Sequence, residues 1–371
     1  MHDPRIDQLA QVLVDHSCKV QAGDKVLIEA YDLPEPDLVC ALIKLVAERQ
    51  ATPVVEWKDN RILRSLYTHG TAEGLSLCGA LESHRMEQMD CYIGIRGASN
   101  SNQFSDVPQS QMGLYQEKWW HPVHTAIRVK KTRWVVLRYP TPSFAQAAKM
   151  STQAFEDFYF RVCTADYVTM AKNQAPLRER MLKTDQVRLV AQGTDLTFSI
   201  KDIPVNACNG DRNIPDGEVF TAPVRDSANG VITYNAASLY LGTVYDQVRF
   251  EFKDGKIVDA TCAGETEKLN AVLDADEGAR YLGEFAIGCN NHVRKPMLDT
   301  LFDEKIGGSI HLTPGQAYES ADNGNRSRVH WDLVLIQTPE YGGGEIYFDG
   351  ELIRKDGKFV PADLHPLNEG L

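Results

Sequence analysis

Apolar residues along the first half of the chain recur with two alternating periods. Val26-Leu27-Ile28-Glu29-Ala30 follows a Gly23-Asp24 turn and, as a short apolar run, predicts a strand. Residues 37–50 then space their apolar side chains as a helix does, and Pro53-Val54-Val55-Glu56-Trp57 predicts strand again. Cys91-Tyr92-Ile93-Gly94-Ile95 and Trp134-Val135-Val136-Leu137 repeat the theme, each beside helix-like sequence. Such βαβα alternation predicts an α/β domain with a mainly parallel sheet covered by helices. Residues 152–182 predict one or two helices closing it.

From about Gln186 the pattern changes. Val187-Arg188-Leu189-Val190 and Leu196-Thr197-Phe198-Ser199-Ile200 alternate as antiparallel strands with an exposed face do. Short strands, the turn signals Asp254-Gly255 and Asp349-Gly350, and a single helix at about 265–286 continue to the end. The expectation is an α/β N-terminal domain over 1–183 and an α+β C-terminal domain over 184–371. No solenoid repeat, Pro/Ser-rich linker or low-complexity stretch interrupts either.

Composition narrows the function. A net charge of −12 without any run of five basic residues argues against nucleic acid, which needs a clustered basic footprint. No window approaches the roughly 18 apolar residues of a membrane span. Eight cysteines are scattered without a C-x-x-C pair, as in reduced, cytosolic chains, and Met1-His2-Asp3-Pro4-Arg5 is charged where a secretory leader is apolar. A cytoplasmic protein is expected. Phosphate-loop, nucleophile-elbow and H-E-x-x-H motifs are missing, so any chemistry must come from dispersed residues.

The most informative local feature is Val329-His330-Trp331-Asp332-Leu333-Val334-Leu335-Ile336, which predicts a strand with His330 and Asp332 on the same face. An imidazole beside a carboxylate suits a metal, although a buried His–Asp hydrogen-bonded pair is the commoner outcome. His311, in Ser309-Ile310-His311-Leu312-Thr313, is equally a core histidine or a ligand. The Pro314-Gly315 turn after it would return Tyr318, whose hydroxyl could serve an oxyanion but more commonly packs. Glu284 has apolar company, with an i−4 ion pair to Arg280 as its ordinary explanation. Glu218, after Pro215-Asp216-Gly217, would by position alone be an exposed turn residue.

Taken together, these residues resemble the thermophilic-aminopeptidase family (aminopeptidase T, aminopeptidase S and relatives). The likeness runs from Leu13-Val14-Asp15-His16-Ser17 onward and is densest in Gly217-Glu218-Val219-Phe220-Thr221-Ala222-Pro223, Asp276 to Glu284, Thr300-Leu301-Phe302-Asp303-Glu304, His330-Trp331-Asp332 and Gly344-Glu345-Ile346-Tyr347-Phe348-Asp349-Gly350. The resemblance implies metal ligands at Glu218, Glu284, His311, His330 and Asp332, and an active-site tyrosine at Tyr318. The segment at Gly307-Gly308 is slightly longer than in the thermophilic members, which makes Glu304 a candidate extra ligand. It further implies an N-terminal α/β domain, a C-terminal catalytic domain and a homodimer.

A carboxylate-rich set of this size exceeds one tetrahedral zinc with an open position. It suits two adjacent divalent ions (Zn, Co, Mn or Mg) sharing a bridging carboxylate and a bridging water. The expected reaction is removal of the first residue from peptides with a free N-terminus, with Tyr318 and Glu284 as catalytic groups. One rival is a mononuclear non-haem iron dioxygenase opening dihydroxypyridine rings through His311, His330 and Asp332, which leaves Glu218 and Glu284 without partners. The other is a non-catalytic peptide- or metal-binding relative.

Overall fold

Val26, Leu27, Ile28 and Ala30 have no exposed surface, which is why the strand Lys25–Tyr31 sits inside a sheet covered on both faces. It pairs in parallel with Thr52–Lys58 on one side and Cys91–Arg96 on the other, Ile28 lying opposite Val55 and Ile93. Arg133–Arg138 and the short strand Asn213–Ile214 extend the sheet, again in parallel. Helices Asp37–Glu48, Asn60–His69 and Ala72–Met86 connect the strands. This computed structural model describes residues 3–369, which divide into two compact units. The first unit contains residues up to Ala165 together with Gly210–Ile214.

Glu29 interrupts the apolar run of the central strand and is 1% exposed. Its carboxylate is met by Lys58 Nζ at 2.6 Å and by the Tyr92 hydroxyl at 2.6 Å. Lys58 also reaches Glu82 at 2.8 Å, and Glu82 accepts from Trp119 Nε1 at 2.9 Å. Burial pushes the Glu29 carboxyl up, but the Lys58 charge and these hydrogen bonds prevail and hold it at about 2.

The second unit spans Asp166–Asn209 and Pro215–Leu371. Of the helices expected over 152–182 to close the first domain, Thr152–Cys163 belongs to the first unit and Tyr167–Lys183 to the second. Two sheets dominate this unit. One has nine strands, including Gln186–Ala191, Thr194–Ser199 and Thr243–Lys253, paired antiparallel throughout. The other has five antiparallel strands in the order Leu333–Ile336, Ser309–Pro314, Leu282–Gly288, Glu218–Thr221, Asn206–Cys208. Their apolar faces share one core that includes Leu189, Phe198, Phe250, Phe285 and Leu335, with the Phe198 and Phe285 rings 5.0 Å apart.

The helix expected over 265–286 is corrected. A helix covers Thr266–Leu273 only. Asp276 takes an extended backbone and accepts hydrogen bonds from Gly278 N and Ala279 N, starting a short 3₁₀ turn at Glu277–Arg280. Leu282–Gly288 is then a strand, because Phe285 and Ile287 bury their side chains in the inter-sheet core at period two. Arg280 accordingly pairs with Asp274 at 2.7 Å, not with Glu284. All eight cysteines are free thiols, and no helix among the described residues is long and apolar enough to cross a membrane.

The buried ion pair of the first unit gives a stability test. Lys58→Met removes the cation and leaves Glu29 buried without its charge partner, an effect of about 3–5 kcal/mol; adding Glu29→Gln should recover part of it, as read from urea unfolding midpoints. The Glu29 carboxyl is depressed, so its contribution is fully present above the ordinary 4.5 and is lost as pH falls through about 2. The stability difference between wild type and Glu29→Gln should shrink over that window.

Candidate metal centre

The period of two that sends Phe285 and Ile287 into the core turns Glu284 to the opposite face of the five-stranded sheet. Ala286 on that face pairs with His311, and Gly288 pairs with Glu218, so Glu218, Glu284 and His311 come from neighbouring strands on one side. His311 Nε2 lies 3.4 Å from Glu284 Oε1 and 3.6 Å from Glu218 Oε2. All three are buried. Glu218 is therefore not the exposed turn residue its local sequence suggests: the Gly217 turn leads it directly into a strand inside the sheet.

His330 and Asp332 reach the same face from the segment just before Leu333–Ile336, which is not itself part of that strand. Gly315 lets them in. Its φ is +107°, and a Cβ there would stand 2.1 Å from the Val329 carbonyl, so only glycine permits the antiparallel bridge between 315 and His330. His330 Nε2 lies 3.4 Å from Glu284 Oε2 and 3.4 Å from Asp332 Oδ1. The two side chains are neighbours as the i, i+2 spacing suggests, but the strand expected over 329–336 is corrected to Leu333–Ile336. His330 Nδ1 is 2.8 Å from the Gln316 carbonyl, and Thr313 Oγ1 donates to Asp332 Oδ1 at 2.5 Å. Tyr318 holds its ring tilted 4.7 Å from that of His330 and edge-on 5.8 Å from that of Phe220, and is 48% exposed.

Glu304 joins the cluster. Gly288 has no room for a side chain, since a Cβ would be 2.3 Å from the Ile306 carbonyl. That closeness lets the Asp303–Ile306 segment lie against the sheet, tied by Asn290 N donating to the Lys305 carbonyl at 3.0 Å. Ligand atoms of Glu218, Glu304 and His311 lie within 4.8 Å of one another, as do those of Glu284, His311 and Asp332. Asp216, Cys208, Lys305, Thr313 and Gln316 also belong to this neighbourhood and were not singled out from sequence. Lys305 in particular reads as surface charge in Asp303-Glu304-Lys305, and no local pattern signals its burial.

Two observations fit a divalent cation to this cluster. His330 Nε2 is buried without a hydrogen-bond partner while Nδ1 is engaged by a backbone carbonyl, the arrangement that orients an imidazole for a metal. Glu218 Oε2 is likewise buried without a hydrogen bond. Buried donors of this kind are costly unless something satisfies them. Oxygen and nitrogen donors together suit Zn, Mn or Co.

Without a metal, the carboxylates and imidazoles hold one another's charge. Burial opposes charge on His311, yet the hydrogen bond it donates to Glu284 and the Glu218 charge lift it to about 9. Burial opposes charge on His330 too, and Asp332 and Glu284 raise it to about 10. Burial would raise Glu284, but the two histidines bring it down to about 2. Burial moves Glu304 up to about 8, against the charge of Lys305 and with that of Glu218. A metal takes the neutral imidazole. Binding at pH 7 should therefore release protons, and apparent metal affinity should climb as pH rises towards the 9 to 10 of the two histidines. Calorimetry in buffers of different ionisation heat measures this directly, and binding without proton release would contradict the charge pattern.

The sequence matches the model of the family described as thermophilic metalloprotease (M29) over residues 2–359. Aminopeptidase 2 of Geobacillus stearothermophilus is 26% identical, the match covering 97% of this chain and 96% of that protein. Aminopeptidase PepS of Streptococcus thermophilus is 27% identical over 96% of each. Among solved structures, wild-type AmpT from Thermus thermophilus superposes with a TM-score of 0.81 at 21% identity, covering 96% of this chain and 99% of that one. A 2,5-dihydroxypyridine dioxygenase from Pseudomonas putida shares the fold more distantly, with a TM-score of 0.63 at 13% identity over 98% and 99% of the two chains. The match to the family model over nearly the whole length shows that this chain belongs to the thermophilic metalloprotease (M29) family.

Proposed function

We propose that the protein is a metal-dependent aminopeptidase whose centre is the Glu218, Glu284, Glu304, His311, His330 and Asp332 cluster. The observation that carries this reading is the pair of overlapping donor groups, Glu284–His311–Asp332 and Glu218–Glu304–His311, together with His330 Nε2, which faces two carboxylates but makes no hydrogen bond. Glu284, His330 and Asp332 would hold one divalent ion and Glu218 and Glu304 another, with the single Nε2 lone pair of His311 serving one of the two. Bound divalent ions polarise a scissile carbonyl and lower the pKa of an attacking water towards neutrality.

The chain's own residues supply the rest. Gln316 and Thr313 fix His330 and Asp332 through their hydrogen bonds, so the donors are aimed before any ion arrives. A carboxylate oxygen of Glu284 or Glu218 takes the proton of the attacking water and passes it to the leaving amine. Tyr318, beside His330 and partly open to solvent, donates its hydroxyl to the developing oxyanion. A substrate's free α-amine held at the loaded centre would restrict cleavage to the first residue. The shared fold with a dioxygenase does not favour ring cleavage, since Glu218 and Glu284 stand in the same cluster and exceed a two-His, one-carboxylate set.

Chelation should abolish hydrolysis of aminoacyl-p-nitroanilides, and Zn, Co, Mn or Mg should restore it; peptidase activity in protein shown by elemental analysis to be metal-free would refute the mechanism. An N-acetylated peptide should resist cleavage while its free-amine twin is shortened one residue at a time. Tyr318→Phe should lower kcat by about 10²–10³ with metal content unchanged. Full turnover in that variant would reduce Tyr318 to a packing residue.

A further inference from the structure

Lys305 is a fully buried lysine set among the carboxylates of the centre. Its Nζ lies 2.7 Å from Glu218 Oε1, 2.7 Å from Glu304 Oε1 and 3.5 Å from Asp216 Oδ1. The ammonium makes no aligned hydrogen bond with any of them, so charge holds it there. Its backbone is pinned on both sides, with Lys305 N donating to the Phe302 carbonyl and its own carbonyl accepting from Asn290 N. The stem has no solvent-facing direction in which to withdraw.

The two donor groups are therefore unequal. Lys305 has taken one oxygen from Glu218 and one from Glu304, two of the three donors in the Glu218–Glu304–His311 group. Glu284 and Asp332, in the other group, pair among the described residues with histidines and a threonine and with no lysine or arginine. A histidine yields its charge to a metal by releasing a proton, whereas the lysine stays as a fixed positive neighbour. A unit charge a few ångströms from a divalent ion, at an effective dielectric of about 20, weakens binding by well over a factor of ten.

We infer that Lys305 is an internal cation that sets the two metal positions apart. Glu284, Asp332, His330 and the one available nitrogen of His311 bind an ion tightly, and Glu218 with Glu304 bind a second ion weakly and exchangeably. Lys305 is a positioning residue in this scheme, holding Glu218 and Glu304 in place while discounting their charge. The inference rests on the proposed metal centre and adds to it an order of filling.

Titration of the chelator-treated full chain with Co²⁺, followed by calorimetry and visible absorption, tests it without reference to activity. Wild type should show one tight ion per chain and a second at least 100-fold weaker. Lys305→Met should tighten the second class at least tenfold and leave the first within about threefold. Two equal classes in wild type, or a second class weakened or lost in a folded Lys305→Met chain, would overturn the inference. If that variant does not fold, Lys305→Gln and the wild-type isotherm decide by the same criteria. Failure of the metal-centre reading looks different: no Co²⁺ bound at all, or tight binding that survives Glu284→Gln.

Discussion

On one face of the five-stranded sheet, Glu218, Glu284 and Asp332 hold their carboxylates within a few ångströms of His311 and His330, and most of these side chains are out of water. Taking that much like charge out of water is costly unless cations accompany it. The surroundings are arranged to meet the cost. Thr313 donates to Asp332, the Gln316 carbonyl fixes His330, and Lys305 lies between Glu218 and Glu304. The core on the sheet's other face, where Phe285 meets Phe198, holds the strands in register and so fixes the separation of the charges. A divalent ion bound there would contribute to folding as well as chemistry, since it binds the assembled cluster and not the unfolded chain.

The first unit shows what a purely structural ion cluster looks like in the same chain. Glu29, Lys58, Glu82, Tyr92 and Trp119 satisfy one another, with buried Glu29 and half-buried Glu82 both facing Lys58. Around His330 and Glu218 the pattern differs, because a nitrogen and an oxygen are buried with no hydrogen bond. Both sites combine burial with charge. In the second, the atoms without a hydrogen bond belong to a histidine and a carboxylate that sit among further metal-ligating side chains.

The sequence by itself determined the elements whose side chains obey one rule along the chain. Strands such as Lys25–Tyr31 and Thr194–Ser199 were legible because one or both faces are uniformly apolar, and two periods are enough to tell the parallel from the antiparallel half. His330 and Asp332 were legible as a pair because two residues' spacing sets their relative direction. What tertiary structure alone decided depends on partners distant in sequence. The stretch 265–286 carries helix-compatible spacing, but the inter-sheet core claims Phe285 and Ile287 as strand residues, and with that Glu284 changes from a helix surface residue to a buried donor. Glu218 reads locally as a turn residue until Gly288 pairs with it across the sheet. Lys305 carried no signal at all, since a lysine beside acidic residues is ordinarily solvated. Its burial depends on distant partners, among them the glycine at 288, which leaves room for the neighbouring Ile306 carbonyl, and Asn290, which holds the Lys305 carbonyl.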